Sequence, residues 1–271
     1  MRRATLGALA SAMALIGCGG GSSSSLVDSG DIGGSADAGS STGNDGTSGG
    51  TCSQIPEETA GPYPADGSGA SGTSINVLAN NGVVRSDIRS NIGAETLVSG
   101  TPMTLTITLQ NVSGDCAPLA GYAIYIWQCD INGEYSAYSG GSNGNHLSDT
   151  YLRGVQVTDA AGQVTFTTIF PGCYIPRVAH IHVEVFPSLA LATSSNNKIA
   201  TSQFAFDDDL VVAVYASDSY RSAGNQTRLA QSAVTNANDS IFSDGVDTQL
   251  LTLSGDVVNG FEATITMAVS A

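Results

Sequence analysis

The stretch Thr104-Leu105-Thr106-Ile107-Thr108-Leu109 alternates a hydroxyl residue with a large aliphatic one along its whole length. Successive side chains of an extended strand point to opposite faces, so this pattern predicts a strand with one face buried and the other wet. Outward from it, 122–129, 163–169, 180–186 and 260–269 are rich in β-branched and aromatic residues and read as further strands. The segment 250–253 reads the same way, and Asn132-Gly133 and Ala161-Gly162 supply turn chemistry between runs. Helical periodicity is weak and confined to 210–215 and 227–234. Short strands broken by Gly-rich turns predict an all-β fold, a single β-sandwich spanning 52–271.

Ahead of residue 52 the composition changes. Arg2 and Arg3 precede an apolar, small-residue run over 6–16 that is too short to span a bilayer, so 1–17 reads as an export signal. It ends in Leu15-Ile16-Gly17-Cys18, which resembles the bacterial lipobox and implies a lipidated Cys18 at the mature N-terminus. Gly19 after it points to the outer membrane if the cell is Gram-negative. Residues 18–51 then form a tether: between 19 and 50, 20 residues are Gly or Ser and the only charges are four Asp. Such a segment cannot bury enough surface to offset its ordering entropy. The expectation is a domain held off the cell envelope on a flexible leash, facing periplasm or exterior.

Charge narrows the function classes. The chain has 271 residues, nine Lys and Arg against 24 Asp and Glu, and a formal charge of −15. Nucleic-acid binding needs a cationic stripe to displace counterions, and none is present. An export route permits disulfides, and with Cys18 lipidated four cysteines remain: Cys52, Cys116, Cys129 and Cys173. They allow two bridges in three pairings, all left open by the sequence.

Two of the three histidines stand in Arg177-Val178-Ala179-His180-Ile181-His182-Val183-Glu184-Val185. At i and i+2 of a strand they share a face, which makes half of a metal site. Tyr174, in a Pro/Gly-containing loop just before them, can fold back over that face, and Tyr135 follows the turn Asn132-Gly133-Glu134. Two phenols and two imidazoles suit a hard, strongly Lewis-acidic ion such as ferric iron, which can deprotonate a phenol of ordinary pKa near 10.

These segments together resemble the intradiol ring-cleavage dioxygenases, the family of protocatechuate 3,4-dioxygenase and catechol 1,2-dioxygenase. The matching stretches are Glu58-Thr59-Ala60-Gly61-Pro62-Tyr63, Pro118-Leu119-Ala120-Gly121 leading into Ile126-Trp127-Gln128, and Asn132-Gly133-Glu134-Tyr135-Ser136. Leu152-Arg153-Gly154-Val155-Gln156, Thr158-Asp159-Ala160-Ala161-Gly162, Phe166-Thr167-Thr168-Ile169-Phe170-Pro171-Gly172 and the run from Arg177 to His182 follow in the family's order. The resemblance implies that Tyr135, Tyr174, His180 and His182 hold one non-haem Fe(III) per domain, Tyr174 being the ligand that leaves when substrate chelates. It implies that Arg177 stabilises negative charge on the substrate, that Gln203 stands beside that arginine, and that Gly61, Pro62 and Tyr63 border the substrate pocket. The implied reaction is intradiol cleavage of a catechol-type diol by O2 to a cis,cis-muconate-type diacid. The alternative is a non-catalytic surface lipoprotein of the same fold that binds iron, catechols or a protein partner.

Other conspicuous residues read as structural. His146 is expected in a solvent-exposed or locally hydrogen-bonded loop, and Asp207-Asp208-Asp209 in a solvated turn. Arg153 is expected in an ion pair or turn, Cys173 in a disulfide that stiffens the Tyr174 loop, and Trp127 in the core of the sandwich. No catalytic match is expected over 210–271.

Overall fold

The computed structural model describes residues 51–271, so the readings of the export signal, of Cys18 and of the tether up to residue 50 lie outside the described residues. The alternating stretch is the centre of strand β1 (Pro102–Asn111), with Met103, Leu105, Ile107 and Leu109 buried and the threonines between them on the wetter face. Along one edge β1 runs parallel to β9 (Gly260–Val269), with Leu105 opposite Ala263 and Ile107 opposite Ile265. Along its other edge it pairs antiparallel with β5 (Gln163–Ile169) and, at its end, with the two-residue β2 (Ala117–Pro118). The strand β8 (Thr252–Asp256) continues this sheet beyond β9.

A second sheet is antiparallel throughout, in the order β4 (Arg153–Val157), β3 (Ala123–Trp127), β6 (His180–Phe186), β7 (Ala200–Ala205). Its side chains divide by the two-residue period. Ile124 and Ile126 of β3 and Ile181, Val183 and Val185 of β6 share one apolar cluster with Leu105, Ile107, Phe166 and Ile265 of the first sheet. On the opposite face Tyr125 and Trp127 join a different cluster with Tyr135 and Tyr138, so long connections cover that face too. Both faces being covered, β3 and β6 are buried along their whole length; β3 reads as a continuous apolar run, whereas β6 alternates His180, His182 and Glu184 with Ile181, Val183 and Val185.

The fold is mostly β, but not wholly. After β7 the chain forms three short helices, α1 (Asp208–Tyr215), α2 (Asp218–Ser222) and α3 (Asn225–Ser232). The weak periodicity at 210–215 and 227–234 marks α1 and α3; α2, at five residues, is too short to show a period. Asp207 caps α1 by accepting from the Leu210 amide at 2.9 Å, and Asp208 and Asp209 occupy its first turn, where a negative charge meets the positive end of the helix dipole. The acidic triplet is therefore a helix start. The Ala161-Gly162 turn does not close a hairpin: it carries the chain from β4 in one sheet to β5 in the other, and Gly162 takes φ +72° with the Leu109 carbonyl against its α-carbon.

Of the three cysteine pairings left open, the chain forms Cys52–Cys116, with Cα atoms 5.8 Å apart, and no second bridge forms among the described residues. Cys129 packs in the cluster on the outer face of the second sheet and Cys173 in the cluster between the sheets, so their thiols sit in different layers. The Cys129 thiol donates to the Gly172 carbonyl at 3.4 Å. Cys173 stiffens its loop by other means, described below. Among the described residues no helix is long and apolar enough to cross a membrane.

The bridge closes a loop with a sequence separation of 64, which chain-entropy reasoning values at roughly 4 kcal/mol. Cys116→Ala should lower the urea-unfolding free energy by about 2–5 kcal/mol. In the folded wild type, Cys129 and Cys173 should resist alkylation until denaturant is added.

Candidate active site

Strand β6 places His180 and His182 on the face turned away from the core between the sheets, and both imidazoles are almost wholly buried. The His182 ring lies flat on Trp127, 4.7 Å between centroids and 3° between planes. Trp127 thus fills the site side of the sheet rather than the inter-sheet core, and its neighbour Tyr125 stacks behind it. His180 has its Nδ1 against the Val178 carbonyl at 2.7 Å, which assigns the proton to Nδ1 and leaves the Nε2 lone pair free. Burial and the nearby Arg177 charge push the His180 imidazole down to about 3. Burial, then His180, Arg177 and Arg153, push His182 well below its ordinary value. Both rings are neutral at physiological pH and offer nitrogen lone pairs.

Two phenols meet them. Tyr135 Oη lies 3.2 Å from His180 Nε2 and 3.3 Å from His182 Nε2, and Tyr174 Oη lies 3.3 Å from His180 Nε2. Burial raises both phenols, Tyr135 far above its ordinary value and Tyr174 to about 12, with the Arg177 charge pulling Tyr174 partly back. Each phenol therefore carries its proton toward an imidazole lone pair. Among the described residues no group of three or more His, Cys, Asp or Glu is placed to hold a metal. A metal at this point would be held by the mixed set of two phenolates and two imidazoles. That donor chemistry fits a ferric ion: oxygen donors that can become anionic, and neutral nitrogens.

The elements that aim these groups lie far apart in the chain. Tyr135 follows a turn in which Asp130 accepts from the amides of Asn132 and Glu134. The buried Asn143 side chain then grips both backbone polar groups of Tyr135, at 2.7 and 2.9 Å. Tyr174 rides on a loop clamped by the helical tail. Asn225 accepts from the Cys173 amide (2.9 Å), Arg228 donates to the Cys173 carbonyl (2.7 Å), and Tyr220 donates to the Phe170 carbonyl (2.6 Å). Gly61, at φ +68°, passes so close to His182 that an added Cβ would lie 3.3 Å from its Cε1, and the Tyr63 ring packs 5.1 Å from that of Tyr135. Pro62 between them is exposed.

Arg177 is buried beside this cluster. Its Nε donates to both oxygens of Asp239 (3.0 and 2.9 Å), and Nη2 donates to Gln203 Oε1 at 2.8 Å. Gln203 in turn donates to the Thr59 carbonyl at 2.9 Å, tying the arginine to the 58–63 segment. Burial alone would raise the Asp239 carboxyl, but the Arg177 hydrogen bonds and charge, with the Ile241 and Val178 amides, hold it below the ordinary range.

Arg153 departs from its expected ion pair or turn. It is a fully buried strand residue whose guanidinium donates to the Ser136 hydroxyl and carbonyl, the Tyr63 and Pro64 carbonyls and the Tyr125 hydroxyl. It fastens the 61–64 loop to the residue after Tyr135. His146 makes the expected local contacts, bridging Glu134 and Asp149 at 2.9 and 2.8 Å. On the same face as the histidines, Glu184 pairs with Lys198 at 2.7 Å, and burial pushes its carboxyl up to about 8.

A family model described as Dioxygenase matches residues 81–247. The solved structure of an intradiol ring-cleavage dioxygenase from Tetranychus urticae is similar at 25% identity and a TM-score of 0.61, covering 81% of this chain and 95% of that one. The chain belongs to the intradiol ring-cleavage dioxygenases. A second crystal structure of a dioxygenase is similar at 26% identity and a TM-score of 0.59, with the same coverage of each chain. No curated protein sequence matches the chain.

In this dioxygenase the residues that sequence reading missed are those that aim the site from a distance. Asp239, Asn225 and Arg228 all come from the region expected to be without a catalytic match, and Asn143 from a Gly-rich loop. Asp239 and Asn143 are single polar residues in irregular segments, and Asn225 and Arg228 sit at the start of the short helix α3, whose weak periodicity says nothing of what their side chains reach. Breaking the Arg177–Asp239 pair leaves a buried cation unpaired, so Asp239→Ala should cost about 3–5 kcal/mol at neutral pH in urea unfolding. The Asp239 carboxyl is depressed, so its stabilisation exists above the ordinary carboxylate range and is lost as pH falls through the lowered pKa. The deficit of the variant should therefore be full at neutral pH and shrink progressively as unfolding is repeated at pH values below the ordinary carboxylate range.

Proposed function

We propose that this dioxygenase cleaves a catechol-type aromatic diol between its two hydroxylated carbons, with a ferric ion as cofactor and O2 as co-substrate, giving a cis,cis-muconate-type diacid. The observation that carries the reading is the convergence of Tyr135, Tyr174, His180 and His182, with three phenol–imidazole contacts of 3.2–3.3 Å and all but Tyr174 almost wholly buried. A ferric ion held by these four residues would supply a Lewis acid that lowers the pKa of the catechol hydroxyls.

The chain's own residues divide the remaining work. Tyr174, half-buried and on a loop, is the phenol that can swing away and accept a proton from incoming substrate, whereas Tyr135 is 1% exposed and pinned by Asn143. His180 and His182 stay neutral and keep their orientation through Val178 and Trp127. Arg177, fixed by Asp239 and Gln203, presents a pre-oriented positive charge where anionic substrate oxygen develops, so no reorganisation is needed during reaction. Gly61, Pro62 and Tyr63 wall the pocket, with Gly61 leaving the room a side chain would take.

The two sheets are read as the faces of one β-sandwich, supported by the apolar cluster they share. The N-terminal pattern supports an exported protein lipid-anchored at Cys18, with the domain facing periplasm or exterior and acting on diols that arrive from outside the cell.

Purified intact chain loaded with Fe(III) should be red-brown from tyrosinate charge transfer, and anaerobic catechol should shift the band to the red. Tyr135→Phe and His182→Ala should each lower oxygen uptake with catechol by more than about 100-fold, beyond the loss expected for a residue that only supports a ligand, while far-ultraviolet circular dichroism is kept. A chain that stays colourless after reconstitution, or a fully active Tyr135→Phe, would sink the ligand assignment.

A further inference from the structure

The segment 58–66 lies as a strap across the outer face of the second sheet, and its contacts follow the order of the strands. At its start the Glu58 amide donates to the Thr201 carbonyl of β7, and Gln203 of the same strand holds the Thr59 carbonyl. Gly61 then passes over His182 of β6. At the far end Arg153 of β4 donates to the Tyr63 and Pro64 carbonyls, and Tyr125 of β3 donates to the Pro64 carbonyl. The Ala65 amide donates to the Tyr138 hydroxyl, and the Ser195 amide donates to the Asp66 carbonyl at 3.0 Å. Residues 64–66 are buried, so this end is firmly seated.

The side chain of Asp66 faces a cation that has no part in the chemistry described so far. Lys198 is the only lysine in the chain. Its Nζ donates to Glu184 Oε1 at 2.7 Å and lies 3.9 Å from Asp66 Oδ2. Both carboxyl side chains are at most 1% exposed, whereas that of Lys198 is 25% exposed. Asp66 Oδ2 and Glu184 Oε2 have no hydrogen-bond partner among the described residues. Two buried carboxyl groups thus depend on one ammonium that reaches in from the edge. Glu184 stands on β6, on the face that carries His180 and His182. Lys198 therefore joins the far end of the strap to the histidine strand itself, whereas Arg153 and Tyr125 join it to the neighbouring strands.

We propose that Lys198 is a positioning residue for ring cleavage: by bridging Glu184 of the histidine strand and Asp66 of the strap, it fixes the gap between the 61–63 segment and His182 in which the substrate ring is held. The inference rests on the ring-cleavage reading above. The Lys198 ammonium bonds to Glu184 rather than to any of the four proposed metal ligands, so its loss moves a pocket wall and leaves the ligand set intact. A displaced wall weakens the hold on substrate and transition state alike, which raises KM and spares kcat. Arginine keeps the charge and can serve two carboxyl groups, whereas methionine keeps only an apolar stem.

The test compares the wild type with Lys198→Met, Lys198→Arg and Asp66→Asn, each as the iron-loaded intact chain with catechol as substrate. Lys198→Met should raise KM by about tenfold, less than the roughly 100-fold that a ~1 Å misplacement can cost, while kcat changes by less than about twofold. The tyrosinate charge-transfer band of the resting enzyme should stay at its wild-type position. Lys198→Arg should recover most of the wild-type KM. Asp66→Asn keeps the Lys198–Glu184 pair and the side-chain volume, so it tests the bridge without stranding a charge, and it should raise KM in the same direction. Independently of iron and turnover, amide hydrogen exchange of the metal-free chain should quicken over 58–67 in Lys198→Met and Asp66→Asn and stay unchanged over 103–109 of β1. If catechol is cleaved and KM is unchanged in both variants, the positioning role is overturned and ring cleavage stands. Exchange that quickens equally over 58–67 and 103–109 in both variants would reduce the bridge to general support of the fold and overturn the role as well. If the wild type does not cleave catechol, the ring-cleavage reading fails, and the positioning inference fails with it.

Discussion

Strand β6 has to satisfy two environments at once. Ile181, Val183 and Val185 drive into the apolar cluster between the sheets, and His180, His182 and Glu184 occupy the other face. Burying three such aliphatic side chains contributes roughly 5–9 kcal/mol. A slip of one residue in register would forfeit that and push two imidazoles and a carboxylate into the core. The core therefore holds the histidines side by side and aimed outward, and the rest of the site is arranged around that fixed pair. Tyr135, Tyr174 and Gly61 come to the histidines, each from a connection rather than a strand, and each is anchored by its own polar clamp.

Those clamps explain how a site so dependent on loops is nevertheless buried. Buried polar groups are costly unless paired, and here the pairing is done by residues far away in sequence. Asn143 satisfies the backbone of Tyr135, Arg153 satisfies the carbonyls of the 63–64 turn, and Asn225 with Arg228 satisfies Cys173. Among these clamps Arg177 and Asp239 are the pair in which both partners are charged, and Gln203 links them to the 58–63 segment. Stability and site geometry thus draw on the same hydrogen bonds, so the helical tail is part of the active-site framework.

Burial is the main cause that keeps His180 and His182 neutral, and the Arg177 charge adds to it at both, with Arg153 adding at His182. Glu184, on the same face of the histidine strand, pairs with Lys198, and burial pushes its carboxyl up.

Much of this was legible in the residues. The period-two run at 104–109, the exact extents of β5, β6 and β9, the His-x-His on one strand face and the tyrosines flanking it all follow from local rules: side-chain alternation, turn chemistry and ligand type. So does the family resemblance, which is a matter of ordered short motifs. The cysteine pairing, the stacking of Trp127 on His182, the neutral acceptors around the Arg153 guanidinium and the reach of Asp239, Asn225 and Arg228 were decided only by the tertiary structure. Each depends on which segments the two sheets and the helical tail bring within hydrogen-bonding distance, at separations of up to 97 residues. Local sequence carries periodicity and chemistry; it carries no record of which distant carbonyl a guanidinium will meet once the sheets have closed.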